Sequence, residues 1–499
     1  LREDRLPVLV GVAQWIQREV AASGAPDPLA TLEGLARAAA ADARCGERLL
    51  AAADTVGLVP VAGWAPANGP RLLAERVGAQ PACEWLAGTG GEVPLRLVNA
   101  AAERIAAGRS RVALLAGLNP MRTLHRARAE GVALHWQSGG DGAPERIGDD
   151  RLGHDACEAR HGLDAPIRVY PLIESALRAR RKLGLDEHRA RLGRLFAPFT
   201  RVAERNPHAW FPVARSAEEL VRVSAANRMV AYPYTKYLNA VLDTDQGAAL
   251  LLCSAAAARS YGVPEERWIY WWGGAHTEER AWHVSRRPEI GDSPALRECA
   301  ARALAAAGVT SAELAVIDFY SCFPVAVELA CEAYGVAEDD PRGLTVTGGL
   351  PYAGGPGSNY AMHAVAAMAA RLRARPGAKG LTTGNGWYLT KHAASVWASE
   401  RPRGVVGAPL EAGVPVGPPP LPRRADAAGA ATVAAWTVSY ARDGAPERGI
   451  VVGSLASGER FVANTPDERG FLEAFVASEQ VGRAGVVRLA GDRLRFEPS

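Results

Sequence analysis

The chain has 499 residues, and 57 Lys+Arg against 54 Asp+Glu leave a net charge of +3. With 48% apolar and 22% charged residues it has the composition of a soluble globular protein, long enough for roughly two to four domains. So even a charge balance argues against a dedicated nucleic-acid binder, and no run approaches the ~20 apolar residues of a membrane span.

Residues 6–12 (LPVLVGV) read as a short buried strand, too short for a signal-peptide core. Residues 28–41 are Ala/Leu-rich with helical spacing, and residues 53–61 (ADTVGLVPV) read as a second buried strand. Gly90-Gly91 then precede a helix over 93–107, and residues 112–117 (VALLAG) form a strand. Strands alternating with helices predict an α/β domain with a mainly parallel sheet. The order recurs: a strand at 268–274, a helix at 294–307, a strand at 314–320, Gly354-Gly355, a helix at 360–374 and a strand at 380–386. This is a weak internal duplication.

Between the halves, residues 119–240 are richer in Arg, His and Trp and less regular. Such an insertion either shapes a substrate site or serves as a structural cap. Residues 414–424 (VPVGPPPLPRR) make a stiff Pro-rich break. Short strands follow at 431–440, 449–453, 460–463 and 486–489, with a hairpin turn at Gly491-Asp492. Thr465 reads as the cap of a helix starting at Pro466 and running to about residue 478. The resulting parse is 1–118 with 241–262, an insertion 119–240, a second half 263–410, a linker 411–424 and a β-rich, OB-like domain 425–499.

The seven cysteines (Cys45, Cys83, Cys157, Cys253, Cys299, Cys322 and Cys331) are scattered, with no C-x-x-C pair. That excludes a zinc ribbon and a disulfide scaffold, implies no bound metal and fits a cytoplasmic location. Gly88-Thr89-Gly90 begins like a dinucleotide fingerprint, but Val93 stands at the third glycine. No Walker lysine, G-x-S-x-G elbow or H-E-x-x-H occurs. Asp149-Asp150 and Glu338-Asp339-Asp340 read as solvated loops.

Several strings share an order and spacing: Val98-Asn99-Ala100-Ala101 with Leu114-Leu115-Ala116-Gly117; residues 245–250 (DQGAAL); residues 319–323 (FYSCF); Gly348-Gly349 through Gly354-Gly355-Pro356; and Gly384-Asn385-Gly386. Over residues 6–400 they resemble the thiolase superfamily. With residues 206–210 (NPHAW) and 232–236 (YPYTK), they resemble most its bacterial thiolase-like subgroup, type 1, often labelled acetyl-CoA acetyltransferase. That subgroup carries an extra C-terminal β domain. The resemblance implies a thiolase fold, namely two duplicated α/β halves in layers, an inserted loop domain and a small C-terminal β-barrel-like domain.

It also implies four chemical positions, and this chain departs from the pattern at each. The nucleophilic cysteine falls on Gly90, give or take one residue. The G-H-P histidine falls on Gly355, the second cysteine on Thr382, and the oxyanion-hole asparagine on Tyr320. Claisen chemistry through an acyl-cysteine is therefore not expected. In related steroid side-chain aldolases a tyrosine at the Tyr320 position assists cleavage of a β-hydroxyacyl-CoA, beside a separate OB-type partner. A phenol can act as acid or base there if neighbours lower its pKa.

Tyr320 is thus the candidate catalytic residue. Gly91, Cys322, Tyr352, Pro356, Asn385 and His392 are pocket candidates, and Arg178, Arg180, Arg181 and Lys182 are candidates for nucleotide phosphates. No covalent cofactor is expected; coenzyme A or an acyl-CoA is the expected ligand. The chain is read either as an acyl-CoA-related enzyme without the thiolase nucleophile or as a non-catalytic acyl-CoA or lipid binder. As a monomer or dimer, its extra domain would mask the edge through which thiolases pair.

Overall fold

A computed structural model describes residues 3–19, 21–402 and 415–499. The duplication is explicit in the strand pairing. In the first half, Pro7–Ile16 pairs antiparallel with Asp245–Ser254, which pairs antiparallel with Val112–Pro120, itself parallel to Thr55–Leu58. In the second half, Ile269–Glu279, Lys391–Ala398, Lys379–Gly386 and Val316–Asp318 repeat this antiparallel, antiparallel, parallel sequence. The two sets join edge to edge through Val8 opposite Tyr270 and Leu9 opposite Ile269.

Two helices lie between the halves. Val93–Ala106 and Tyr360–Arg373 touch each other and strands of both halves, whereas Pro28–Asp42 and Pro294–Ala307 pack on strands of their own half. Tyr360–Arg373 is buried on all sides, which its Ala, Val and Met residues permit. A reciprocal lock fastens the centre. Asn99 donates to Ala394 O (3.1 Å) and accepts from Trp271 Nε1 (3.0 Å) and Ser395 Oγ (2.7 Å) across the interface. From the other side, Asn359 donates to Gly117 O at 2.9 Å. A Cβ at Gly117 would overlap Asn359 and one at Gly274 would overlap Asn99, so glycine is needed opposite each asparagine.

The strand Cys83–Ala87 pairs parallel with Thr55–Leu58 on one side and with Glu145–Ile147 on the other. Trp85 Nε1 donates to Glu145 Oε2 at 3.1 Å. A piece of the insertion, and not the C-terminal domain as expected, covers this edge. The rest of the insertion holds the short paired strands Met229–Ala231 and Tyr234–Thr235 and several helices, of which Pro166–Arg180 and Leu185–Glu204 pack against Pro324–Tyr334 of the second half.

The C-terminal strands Gly429–Tyr440, Pro446–Leu455, Arg460–Asn464, Ala484–Ala490 and Arg493–Pro498 close into a five-stranded barrel, in the order first, second, third, fifth, fourth, first. Val433, Trp436, Val451, Phe461, Val487 and Phe496 fill it, and Leu472 and Phe475 of the helix Arg469–Val476 plug one end. One expectation is corrected here. The helix begins at Arg469 without a side-chain cap, because the Thr465 hydroxyl donates to Pro466 O instead. Of the Pro-rich linker, residues 411–414 lie outside the described residues and the rest is held by contacts. Pro415–Val416 pairs with Glu278 and Glu279, Leu421 N donates to Arg286 O, and Arg423 pairs with Asp155 at 2.5 Å.

Candidate active site

The loop Gly88–Glu92 enters the central helix Val93–Ala106, whose N-terminus faces the second half. Gly90 N–H donates to Ser358 Oγ at 3.1 Å, which brings the Gly354–Ser358 turn to the position expected for the nucleophile. Gly90 has φ +148°, a conformation that side chains disfavour, and a Cβ there would overlap Glu92 Oε2. At this glycine the space next to the backbone is taken by the carboxylate of Glu92. A Cβ at Gly386 would overlap the same oxygen, and one at Gly384 would lie 2.8 Å from Glu92 Cα.

Glu92 is fully buried and pairs with the equally buried Lys391, Oε1 to Nζ 3.0 Å. Lys391 Nζ also donates to Thr89 O at 2.6 Å, so the ammonium clips the loop to the strand Lys391–Ala398. Burial raises the Glu92 pKa above the usual carboxyl value, and the charge of Lys391 opposes that rise. Glu92 Oε2 has no hydrogen-bond partner.

Tyr320 lies on the other side of the same loop. Its hydroxyl occupies the space a Cβ at Gly91 would take. Its N–H donates to Thr383 Oγ1 at 2.8 Å, and its ring meets Tyr360 edge-on with centroids 5.3 Å apart. Burial, then Cys322, pushes its pKa well above the usual phenol value. The condition for base chemistry, a pKa lowered by neighbours, is therefore not met: burial holds the phenol in its protonated form.

Cys322 and Asn385 complete the cluster. Asn385 Nδ2 donates to Tyr170 Oη at 2.9 Å and lies 3.7 Å from Cys322 Sγ, while the Tyr170 hydroxyl donates to Trp387 O. Burial pushes the Cys322 thiol up to about 12, which leaves it protonated and unreactive. The backbone between Gly386 and Lys391 is strained, with Trp387 at φ +52° and Leu389 at φ +56°.

The remaining candidates lie elsewhere. Thr382 Oγ1 accepts from Trp397 Nε1 at 3.0 Å, a structural contact. Gly355 N–H donates to Val241 O at 2.8 Å, and a Cβ there would stand 3.1 Å from that carbonyl. Pro356 lines a cavity of about 10 Å³ with His208, His363 and Gln246, room for about one water. Tyr352 packs edge-on to Phe196 in the insertion's core, with its hydroxyl unpartnered. His392 points to the opposite face of its strand from Lys391, where it meets Ser293 Oγ at 3.2 Å; burial lowers its pKa to about 3.

The three arginines of the basic run are also accounted for, whereas Lys182 is exposed. Arg178 pairs with Glu479 of the barrel, Arg180 with Glu332 at 2.5 Å, and Arg181 with Glu328, Glu332 and Glu338. Glu338 is thereby an anchor, not a solvated loop residue. Among the described residues, one wholly buried group has metal-ligand composition, Glu174, His188 and Glu328. It is closed by the Tyr234 hydroxyl on Glu174 and Arg181 on Glu328.

Sequence reasoning missed Glu92, Lys391, Tyr170 and Ser358. An acid at a helix start reads as a favourable charge for the helix dipole, and nothing local ties it to a lysine on a distant strand.

A family model described as the thiolase-like protein type 1 additional C-terminal domain matches residues 416–492. The monomeric SCP2-thiolase like protein type 1 of Mycobacterium smegmatis superposes with TM-score 0.83, at 33% identity over 100% of both chains. This chain belongs to the SCP2-thiolase-like proteins of type 1. No curated protein matches its sequence. The wider fold is that of the dimeric peroxisomal thiolase of Saccharomyces cerevisiae (TM-score 0.58, 13% identity, 80% of this chain and 99% of that one). It is shared by the Ltp2-ChsH2(DUF35) aldolase (TM-score 0.58, 16% identity, 80% and 100%). Both shorter matches are at the level of fold alone. In this thiolase-like protein the loop at the start of the central helix holds a phenol, a carboxylate and an ammonium, a set that can donate and accept protons.

Proposed function

We propose that this thiolase-like protein is an acyl-CoA-related enzyme that works by acid–base, lyase-type chemistry, with Tyr320 as the proton donor. The observation that carries the reading is the filling of the nucleophile's place by polar groups: Glu92 against Gly90, Tyr320 against Gly91, and Lys391 paired with Glu92. Apolar side chains there would have argued for a relic. A phenol held protonated can donate to a thioester carbonyl or to a departing alkoxide as charge develops.

A structural neighbour named an aldolase pairs Ltp2 with ChsH2. The fused barrel here has the strand order of OB-type barrels and a helix between its third and fourth strands, so it fits the role of a built-in partner. All seven cysteines are free, which is consistent with a cytoplasmic site of action, and no described helix is long and apolar enough to cross a membrane. The complete burial of Glu92 supports a second reading, a non-catalytic acyl-CoA or lipid binder.

The two readings separate when the full-length protein is incubated with a panel of β-hydroxyacyl-CoAs and the products are read by mass spectrometry. Formation of a shortened acyl-CoA with an aldehyde or ketone, lost in Tyr320→Phe, supports the enzyme. Saturable binding without turnover supports the binder.

A further inference from the structure

We infer that Glu92 is the proton acceptor of this site, taking a proton from the α-carbon of a bound acyl thioester. The inference rests on the acid–base reading above and adds a residue to it. Three features of the geometry carry it. Glycines at 90 and 386 are each placed where a side chain would strike the Glu92 carboxylate, so the chain gives up Cβ atoms on two elements to seat it. Oε1 stands 3.0 Å from Lys391 Nζ as an ion pair, and neither carboxylate oxygen has a hydrogen-bond partner, which leaves basic lone pairs uncommitted in a buried place. Finally, Oε2 lies where a side chain at Gly90 would begin, and Tyr320 Oη occupies the equivalent space at Gly91.

The charged groups around Glu92 make it serviceable as a base. Lys391 is its ion-pair partner, and Arg96, which pairs with Glu278 at 3.4 Å, also favours the anion. Burial works the other way and raises its proton affinity above that of a surface carboxylate. Lys391 is held in turn by Thr89 O, so it acts as a positioning residue. In the step, the α-C–H bond breaks and its proton passes to Glu92 Oε2. The electron pair moves onto the thioester carbonyl, whose oxygen, as an enolate, accepts a hydrogen bond from the Tyr320 hydroxyl. Reversal in heavy water returns a deuteron to the α-carbon, so no other reactant is consumed.

The test incubates full-length protein with butyryl-CoA in D₂O and follows deuterium at the α-carbon by mass spectrometry, across pH. Wild type is expected to exchange, with a rate that rises with pH through the titration of one carboxyl group. Glu92→Gln is expected to lose about 100-fold or more and to lose that pH dependence. The double variant Glu92→Gln/Lys391→Met leaves no unpaired buried charge and repeats the measurement in a protein whose melting curve shows it folded. Exchange that persists in either folded variant overturns the role of Glu92 while leaving Tyr320 in place. Wild type that cleaves a β-hydroxyacyl-CoA without α-exchange overturns it too, and wild type that does neither overturns both the role of Glu92 and the lyase reading.

Discussion

A cysteine at Gly90 would have to adopt φ +148° and displace a carboxylate that is itself held by a buried ammonium. Gly90→Cys is therefore expected to create no thiolase and to lower stability by about 2 kcal/mol or more, read from chemical denaturation. Adding Glu92→Ala should recover part of the steric loss while stranding Lys391. At Asn99 the cost comes from hydrogen bonds. Asn99→Ala orphans the Trp271 indole N–H, the Ser395 hydroxyl and the Ala394 carbonyl, all buried. It should cost about 2–4 kcal/mol, with Asn99→Asp, which keeps both accepting contacts, costing less. Wild-type stability in Asn99→Ala would show that the interface does not depend on this lock.

Among the elements, the insertion helices Pro166–Arg180 and Leu185–Glu204 meet Pro324–Tyr334 through titratable groups that carry their own pH dependence. The Glu174 and Glu328 carboxyls lie within 4.8 Å of each other, and burial of the pair favours one proton shared between them. His188 Nε2 lies 2.8 Å from Glu174 Oε1, Tyr234 donates to Glu174, and Arg181 reaches Glu328. Burial, then the charge of Glu174, raises Glu328 well above its usual value, and this outweighs Arg181. A raised carboxyl pKa contributes stability that is full below the unfolded value and is lost as pH rises through the folded one. Wild-type stability relative to Glu328→Gln should thus fall with rising pH, in denaturant titrations at a series of pH values. A constant difference would mean that no proton is shared. Burial lowers His188, whose contribution is lost in the other direction, as pH falls. The Glu328 charge opposes that lowering, so the difference between the two proteins reads the coupled Glu328–His188 pair.

These same elements show what a sequence discloses. The helix Pro294–Ala307 is legible to the residue because Ser293 caps it, Pro294 opens it and Gly308, at φ +62°, ends it. The strand Lys391–Ala398 is not, since KHAASVWA alternates no polarity: both of its faces are buried, and its lysine and histidine are satisfied by partners far along the chain. The apparent Thr465 cap fails because its hydroxyl finds a nearer carbonyl. The departures expected at Gly90, Gly355, Thr382 and Tyr320 rest on residue types that the sequence prints directly. The Glu92–Lys391 pair was not legible, because those residues acquire meaning only when two halves of the chain close on each other.

For the whole molecule, the covered strand edge matters most. Here Glu145–Ile147 occupies the ladder beside Cys83–Ala87 with only three residues. Replacing residues 145–147 with a Gly-Ser segment of equal length should uncover the edge and yield dimers or larger species in sedimentation experiments. Sedimentation that is unchanged by the replacement would show that this edge does not set the oligomeric state. The barrel is bound on a different side, through Trp436 N to Ser175 Oγ (2.9 Å) and Arg460 to Pro288 O (2.7 Å).

Every side chain that converges on Gly90 comes from one polypeptide. Dimeric enzymes lose material by dissociation when diluted, and their melting temperatures drift with concentration through mass action. A chain that is single in solution has no such dependence. If the covered edge keeps this chain single, its melting temperature should be unchanged from micromolar to nanomolar.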